Sequence, residues 1–209
     1  MKPQAKPSRR QRGLSLIVVM LILVVVTILG IGGAQIALLG ERSTRYDRDY
    51  LIATQAAEAA LMEAEYDIRG PNTYTSSRVS RFTSDNTGIF VSGCGTGPAT
   101  ATSAQGLCLP PDDTAKPVWA TVDFLDTNTT TAHSVGFGAF TGRAFKAGSM
   151  GIQPELAPRY IIEVIDDACI GCDASAGASS KMYRITAIGF GPRKEVQVVM
   201  QTAFRKEKG

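Results

Sequence analysis

Leu14–Gly40, a stretch without a single charged residue, decides what this chain can be. Within it, Leu16–Leu29 is built from Ile, Val, Leu and Met, broken only by Thr27. A helix of about 20 apolar residues crosses a bilayer core, and this run with its flanks meets that length. A helix from the core of a water-soluble protein would keep a polar face, and none is visible here. Lys2, Lys6, Arg9, Arg10 and Arg12 precede Gly13 with no acid among them. Such a basic flank stays on the cytoplasmic side, which places everything after Glu41 beyond the inner membrane.

The formal net charge is +3, and removing the five leader charges leaves 3 − 5 = −2. The basic balance therefore belongs to the leader, and nothing suggests a nucleic-acid surface. The 209 residues, 44% of them hydrophobic, leave room after one membrane segment for a single domain of about 100–150 residues.

Three readings of this N-terminus compete. It is an uncleaved signal anchor, a secretory signal cut after Gly32-Gly33-Ala34, or a leader cut before the apolar run. The second conflicts with length, since a signal h-region spans only about 7–15 residues. The third is favoured by Arg12-Gly13-Leu14-Ser15-Leu16, which resembles a prepilin peptidase site: basic residues, Gly, then an apolar segment that is kept.

Glu41–Arg69 reads as a continuation of the same helix. It is rich in Ala, Leu, Met and Glu, which are strong helix formers. Tyr50, Ala53, Ala57, Leu61, Ala64 and Ile68 recur at three- and four-residue steps, a stripe suited to packing on a sheet. Gly70-Pro71 ends the helix. Unbroken from Leu14 to Arg69 it would extend about 80 Å. Gly30, Gly32 and Gly33 each cost about 1 kcal/mol relative to Ala, so this segment is expected to be the point where the helix can bend or melt. Close packing through small residues is the competing explanation.

The stretch Gln55-Ala56-Ala57-Glu58-Ala59-Ala60-Leu61, following an Arg-Gly-apolar junction, resembles the N-terminal region of PilX-type minor pilins. The resemblance covers Arg12–Glu65. It returns at Tyr183–Gly191 and Val196–Arg205, which look like that family's last two strands. It implies an α+β, type IV pilin-like fold, with a long N-terminal helix packed on a C-terminal antiparallel sheet, and a role in assembling type IV pili. Implied too are prepilin peptidase cleavage between Gly13 and Leu14 and N-methylation of Leu14. Most pilins carry Glu at the fifth residue after the cut, where it neutralises a neighbour's amine inside the filament core; here that residue is Val18. PilX-type and K-type subunits share the lack, and a subunit without the Glu suits the filament tip. In a plain signal anchor, Val18 would be only one more lipid-facing residue.

Thr, Ser, Gly, Pro and Asn dominate 72–131 without a helical period. One short strand is expected from Phe82, Ile89, Phe90 and Val91 and another over Val118–Phe124, joined by long loops. Tyr160–Asp166, Met182–Phe190 and Glu195–Phe204 alternate as strands of a sheet with one buried face, and Gly191–Lys194 reads as the turn between the last two.

Four cysteines allow three connectivities. In an oxidising periplasm, pairing of sequence neighbours is expected: Cys94 with Cys108 and Cys169 with Cys172. Cys-Ile-Gly-Cys lacks the helix-opening βαβ setting of a redox motif, and Cys94 and Cys108 are too widely spaced for a zinc knuckle. His133 lies in a Thr-rich loop with no nucleophile signature nearby. Asp126-x-Asn128-x-Thr130 hints at a calcium loop, but Thr131 and Phe137 stand where Gly and Glu are required. Asp166 with Asp167, or Asp112 with Asp113, read better as solvated pairs than as calcium ligands. Gly136-Phe137-Gly138 is too little for a phosphate loop.

The expectation is therefore a non-enzymatic minor pilin with no cofactor, no metal and no catalytic residue. Its parts would be a leader at 1–13, a membrane and filament-core half-helix at 14–40 and an amphipathic half-helix at 41–69. A periplasmic headgroup at 70–209 would follow, loop-rich over 72–158 and sheet over 159–205. Expected partners are major and minor pilins, prepilin peptidase, the inner-membrane assembly platform and a tip adhesin, with adhesion or twitching motility as outcome. It would reside in the bacterial inner membrane, C-terminus periplasmic, and then in the pilus. A type II secretion pseudopilin, or a signal-anchored periplasmic binding domain, are the alternatives.

Overall fold

The computed structural model describes residues 14–83, 86–112, 115–148, 150–166 and 181–206. The chain divides into two compact units, residues 1–47 and 48–209. Helix α1 is a single element, Leu14–Arg69. It closes as the Gly-Pro signal implies: Gly70 adopts φ +75°, and its N–H donates to the Tyr66 carbonyl at 2.9 Å. A residue with a side chain would meet steric cost in that left-handed conformation.

In the second unit, β1 (Leu107–Cys108), β2 (Val135–Gly136), β3 (Arg159–Asp166), β4 (Lys181–Phe190) and β5 (Gln197–Phe204) form one sheet. The order is β1-β3-β4-β5, and β2 also pairs with β3. The three long strands are antiparallel, with Ile162 opposite Ile185 and Ala187 opposite Met200. The expected helix on a C-terminal antiparallel sheet is present, and the short β1 adds a parallel edge to β3. β1 and β2 are two residues each, too short to leave a period in the sequence.

The strand alternation sets two faces. Tyr160, Ile162, Val164, Tyr183, Ile185 and Ala187 join Ala60, Ala64 and Ile68 of α1 in the main core, with Phe82, Phe90, Leu107 and Phe140. On the other face Ile161, Ile188 and Phe190 are covered by Cys94, Cys108, Val118 and Phe124. Both faces of β3 and β4 are therefore covered, whereas the sequence suggested one buried face. β5 keeps the simpler pattern: Val198 is buried, and Gln197, Val199, Gln201 and Ala203 are exposed. Small residues let α1 lie close to the sheet. A Cβ at Gly189 would collide with the Ala53 carbonyl oxygen and the Ala57 nitrogen, and one at Gly191 would come within 3.0 Å of the Asp49 carbonyl oxygen.

The strand expected over Val118–Phe124 is instead a 3₁₀ turn, Val118–Ala120. Pro117, with φ −52°, starts it, and its carbonyl accepts from the Ala120 N–H at 2.9 Å. The alternation holds as burial, since Val118 and Phe124 are both buried, but among the described residues no strand pairs with it. Around Phe82 and Ile89–Val91 the described residues likewise form no strand beyond a bridge from Val91 to Cys108, and a 3₁₀ turn occupies Val79–Arg81.

Candidate functional site

Two features set this chain apart: the surface of the first half of α1, and a set of ions beneath the second half. From Leu16 to Leu39, seventeen large apolar side chains are exposed, among them Val18 at 51% and Leu29 at 69%. Moving such a side chain out of water is worth about 1.5–3 kcal/mol when complete. At half to two-thirds exposure the seventeen sum to roughly 20 kcal/mol, more than the net stability of a typical domain. This surface requires an apolar surround. The helix is long and apolar enough to cross a membrane, and it fits a single-pass anchor. Its Gly30, Gly32 and Gly33 lie in regular helix, and a Cβ at any of them would meet nothing within 4 Å.

Beneath the second half the apolar stripe is interrupted. The buried face is Ala53, Ala56, Ala57, Ala60, Glu63, Ala64, Asp67 and Ile68. Tyr50, expected to belong to it, is 47% exposed, and Leu61 is only partly buried. Two fully buried carboxylates one turn apart take their place. Arg78, also fully buried, grips Asp67 through Nε, 3.1 Å from each oxygen, and Nη2 at 2.6 Å. The Tyr160 hydroxyl donates to Asp67 at 2.9 Å. Arg78 Nη1 donates to the Gln105 carbonyl at 2.7 Å, and its guanidinium lies 3.6 Å from the Phe140 ring centroid. This one arginine joins α1, the 103–105 loop and the 140 segment. Burial, and then the Asp67 charge, push the Tyr160 phenol well up.

Glu63 ties down a second loop. It accepts from the Gly138 N–H at 3.1 Å and from the Thr141 hydroxyl, and pairs with Arg143 Nη1 at 3.1 Å. Burial raises the Glu63 pKa; Thr141, Arg143 and Gly138 oppose the rise, and Asp67 adds to it. On the opposite sheet face Glu163, fully buried, takes Arg184 through two bonds of 3.0 and 2.7 Å. None of the three carboxylates is among the residues that the sequence pattern marks as buried. The available signal is phase: Glu63 and Asp67 fall three residues after Ala60 and Ala64, inside the stripe that packs on the sheet.

The other candidate residues divide as follows. Leu14 is the first residue of α1, while Gly13, Cys169 and Cys172 lie outside the described residues. Cys94 and Cys108 are joined by a disulfide, with 4.1 Å between Cα atoms, inside the cluster covering the outer sheet face. His133 Nδ1 lies 2.7 Å from the Cys94 carbonyl, which ties its loop to that disulfide. The Asp-x-Asn-x-Thr pattern is a chain of side-chain turns. Asp126 accepts from the Asn128 N–H at 2.9 Å, and Asn128 accepts from the Thr130 N–H at 2.9 Å. Asp166 pairs with Lys181. Among the described residues no group of three His, Cys, Asp or Glu stands close enough to hold a metal ion.

A long N-terminal helix, apolar in its first half and laid on a mostly antiparallel sheet in its second, defines a pilin-like α+β protein. The family model described as type IV pilus assembly protein PilX C-term matches residues 95–206, and that described as PilX N-terminal matches residues 12–61. The first alone spans more than half of the chain, which belongs to the PilX family of type IV pilus assembly proteins. Comparison with curated proteins and with solved structures gives no match. Membership implies contact with other pilus components and fits a structural rather than a catalytic role.

Proposed function

We propose that this chain is a minor pilin acting at or near the tip of a type IV pilus, in few copies, in support of adhesion or motility. The observation that carries the reading is Val18. It is an exposed valine on an uncharged, lipid-ready helix surface. It occupies the fifth position after the Gly13–Leu14 junction, where most pilins carry Glu. In a filament the Glu of each incoming subunit meets the amine of an earlier one inside an apolar core. A buried ammonium left without a partner costs several kcal/mol, so a subunit with Val18 fits poorly in mid-filament. The first subunit has no earlier neighbour and loses nothing, and its own amine at Leu14 is met by the Glu of the subunit behind. In this reading the leader is removed before Leu14, Leu14 is methylated, the headgroup is periplasmic before assembly, and major pilins, minor pilins, prepilin peptidase, the assembly platform and a tip adhesin are the partners.

Intact-mass measurement of the purified chain tests the processing. A mature start at methylated Leu14 is expected, and an uncut Met1 or a start after Ala34 removes the pilin reading. Immunogold labelling of sheared pili tests the position. Sparse label at ends is expected, and dense label along the shaft contradicts it.

A further inference from the structure

Arg159 opens β3 opposite Gly136 of β2 and is only 6% exposed. Nε donates to the Ser134 hydroxyl and Nη2 to the Ser134 carbonyl, both at 2.7 Å. Nη1 has no acceptor among the described residues, and Arg159 lines a cavity of about 380 Å³ together with Tyr74, Thr127, Thr129, Phe137 and Arg143. Gly136 is what leaves that nitrogen open: a Cβ there would lie 3.3 Å from Nη1. The backbone at 136 lies outside the left-handed region, so its geometry does not demand glycine.

We propose that this cavity binds a pyranose bearing a carboxylate, a sugar acid, with Arg159 Nη1 as the anchor of the carboxylate. No buried side-chain nitrogen or oxygen is left unpartnered among the described residues, so Nη1 is open to solvent, and a guanidinium edge matches a carboxylate in plane and in charge. Asp126 and Asp123 act on Arg159, opposing the fall in its pKa that burial causes. Arginine stays charged in proteins, and two nearby acids favour a singly charged carboxylate over a dianionic phosphate. Tyr74 and Phe137 put aromatic rings in the wall, against which the apolar face of a sugar ring packs. The hydroxyls of Thr127 and Thr129 make no hydrogen bond within the described residues and are available to ring hydroxyls. The site lies wholly in the headgroup, so it stands whether or not the subunit occupies a pilus tip.

The test is saturation-transfer difference NMR on the full chain in detergent, with D-glucuronate as probe and methyl glucoside and N-acetyl-aspartate as comparison ligands. Saturation of glucuronate is expected, with at least about tenfold weaker binding in Gly136→Ala, which covers Nη1 without removing charge, and in Thr129→Val a smaller loss. Unchanged Trp119 fluorescence melting in both variants shows that the headgroup is intact. No saturation of glucuronate, or equal binding in wild type and Gly136→Ala, overturns the proposal. Methyl glucoside binding as well as glucuronate overturns the role of the carboxylate, and N-acetyl-aspartate binding as well overturns the sugar assignment.

Discussion

Replacing Arg78 by Met keeps a long apolar stem and deletes the guanidinium that sits at the centre of the headgroup. Asp67 would lose three close nitrogen contacts and keep only the Tyr160 hydroxyl. The Gln105 carbonyl would lose its 2.7 Å donor, and the Phe140 ring the cation stacked at 3.6 Å. Both ions are fully buried, so water does not compensate. Leaving a buried charge unpaired costs about 3–5 kcal/mol. For a domain of this size each kcal/mol shifts the melting temperature by about 2–4 °C, which gives a fall of roughly 6–20 °C. The chain has one tryptophan, Trp119, in the headgroup, so its fluorescence follows the melting of that unit. Arg78→Met combined with Asp67→Leu removes the orphaned charge and should recover at least half of the loss, because an apolar pair often replaces a buried ion pair at little cost. A single variant within about 1 kcal/mol of wild type, or a double variant that loses the sum of both singles, would refute the argument.

Three further outcomes follow from the same geometry. Gly189→Ala drives a methyl into the backbone of α1 at Ala53 and Ala57, and chemical denaturation followed at Trp119 should show a loss of several kcal/mol, beyond the usual 1–3 kcal/mol of overpacking, since the opposing atoms are rigid. Glu63→Gln tests linkage. The raised folded-state pKa of Glu63 means that its stabilising share is full below the unfolded value near 4.5 and is lost as pH rises through the folded value. The Gln variant should therefore gain stability relative to wild type over that window, and a pH-independent difference counts against it. Gly32→Ala with Gly33→Ala adds about 2 kcal/mol of helix propensity where the added methyls meet nothing. Slower amide exchange across 30–34 in detergent should result, and unchanged exchange would show that the segment is already held.

The parts legible in the sequence were those written as long periods. The apolar run, the helix ending at Gly70, and the strands β3, β4 and β5 all carry many repeats of one pattern, so tertiary contacts had little to override. The middle of the chain has no such redundancy. β1 and β2 supply one residue to each face, and the 3₁₀ turn at Val118–Ala120 reproduces a strand's burial pattern with a different backbone because Pro117 sets its first dihedral. The helix stripe was read with the right phase and the wrong chemistry. Tyr50 belongs to the apolar stripe by spacing yet is exposed, while Glu63 and Asp67 lie outside that stripe as read and are buried. Their partners could not be read locally, since Arg78 lies 11 residues from Asp67, and Thr141 and Arg143 lie 78 and 80 from Glu63.

The buried carboxylates of α1 help hold the irregular middle in place. A loop-rich segment gains little from backbone ladders, and each ordered residue costs about 1–2 kcal/mol of chain entropy. Here the compensation comes from a few side chains of long reach. Arg78 collects the 103–105 carbonyls, Glu63 collects the amide and hydroxyl of the 138–141 turn, and Asn72 donates to the Phe140 carbonyl at 2.8 Å. Each of these bonds runs from α1 or the segment that follows it to a loop outside the long strands, adding to that loop's own turn bonds. An apolar helix face could have held the sheet equally well, but it could not have satisfied loop carbonyls and amides that have no strand beside them. The carboxylates in the stripe are thus placed where the helix must fix irregular backbone and not merely bury a sheet. Substitutions at exposed loop positions of 72–143 that spare Arg78, Asn72 and the buried residues of the two core clusters should leave the headgroup folded.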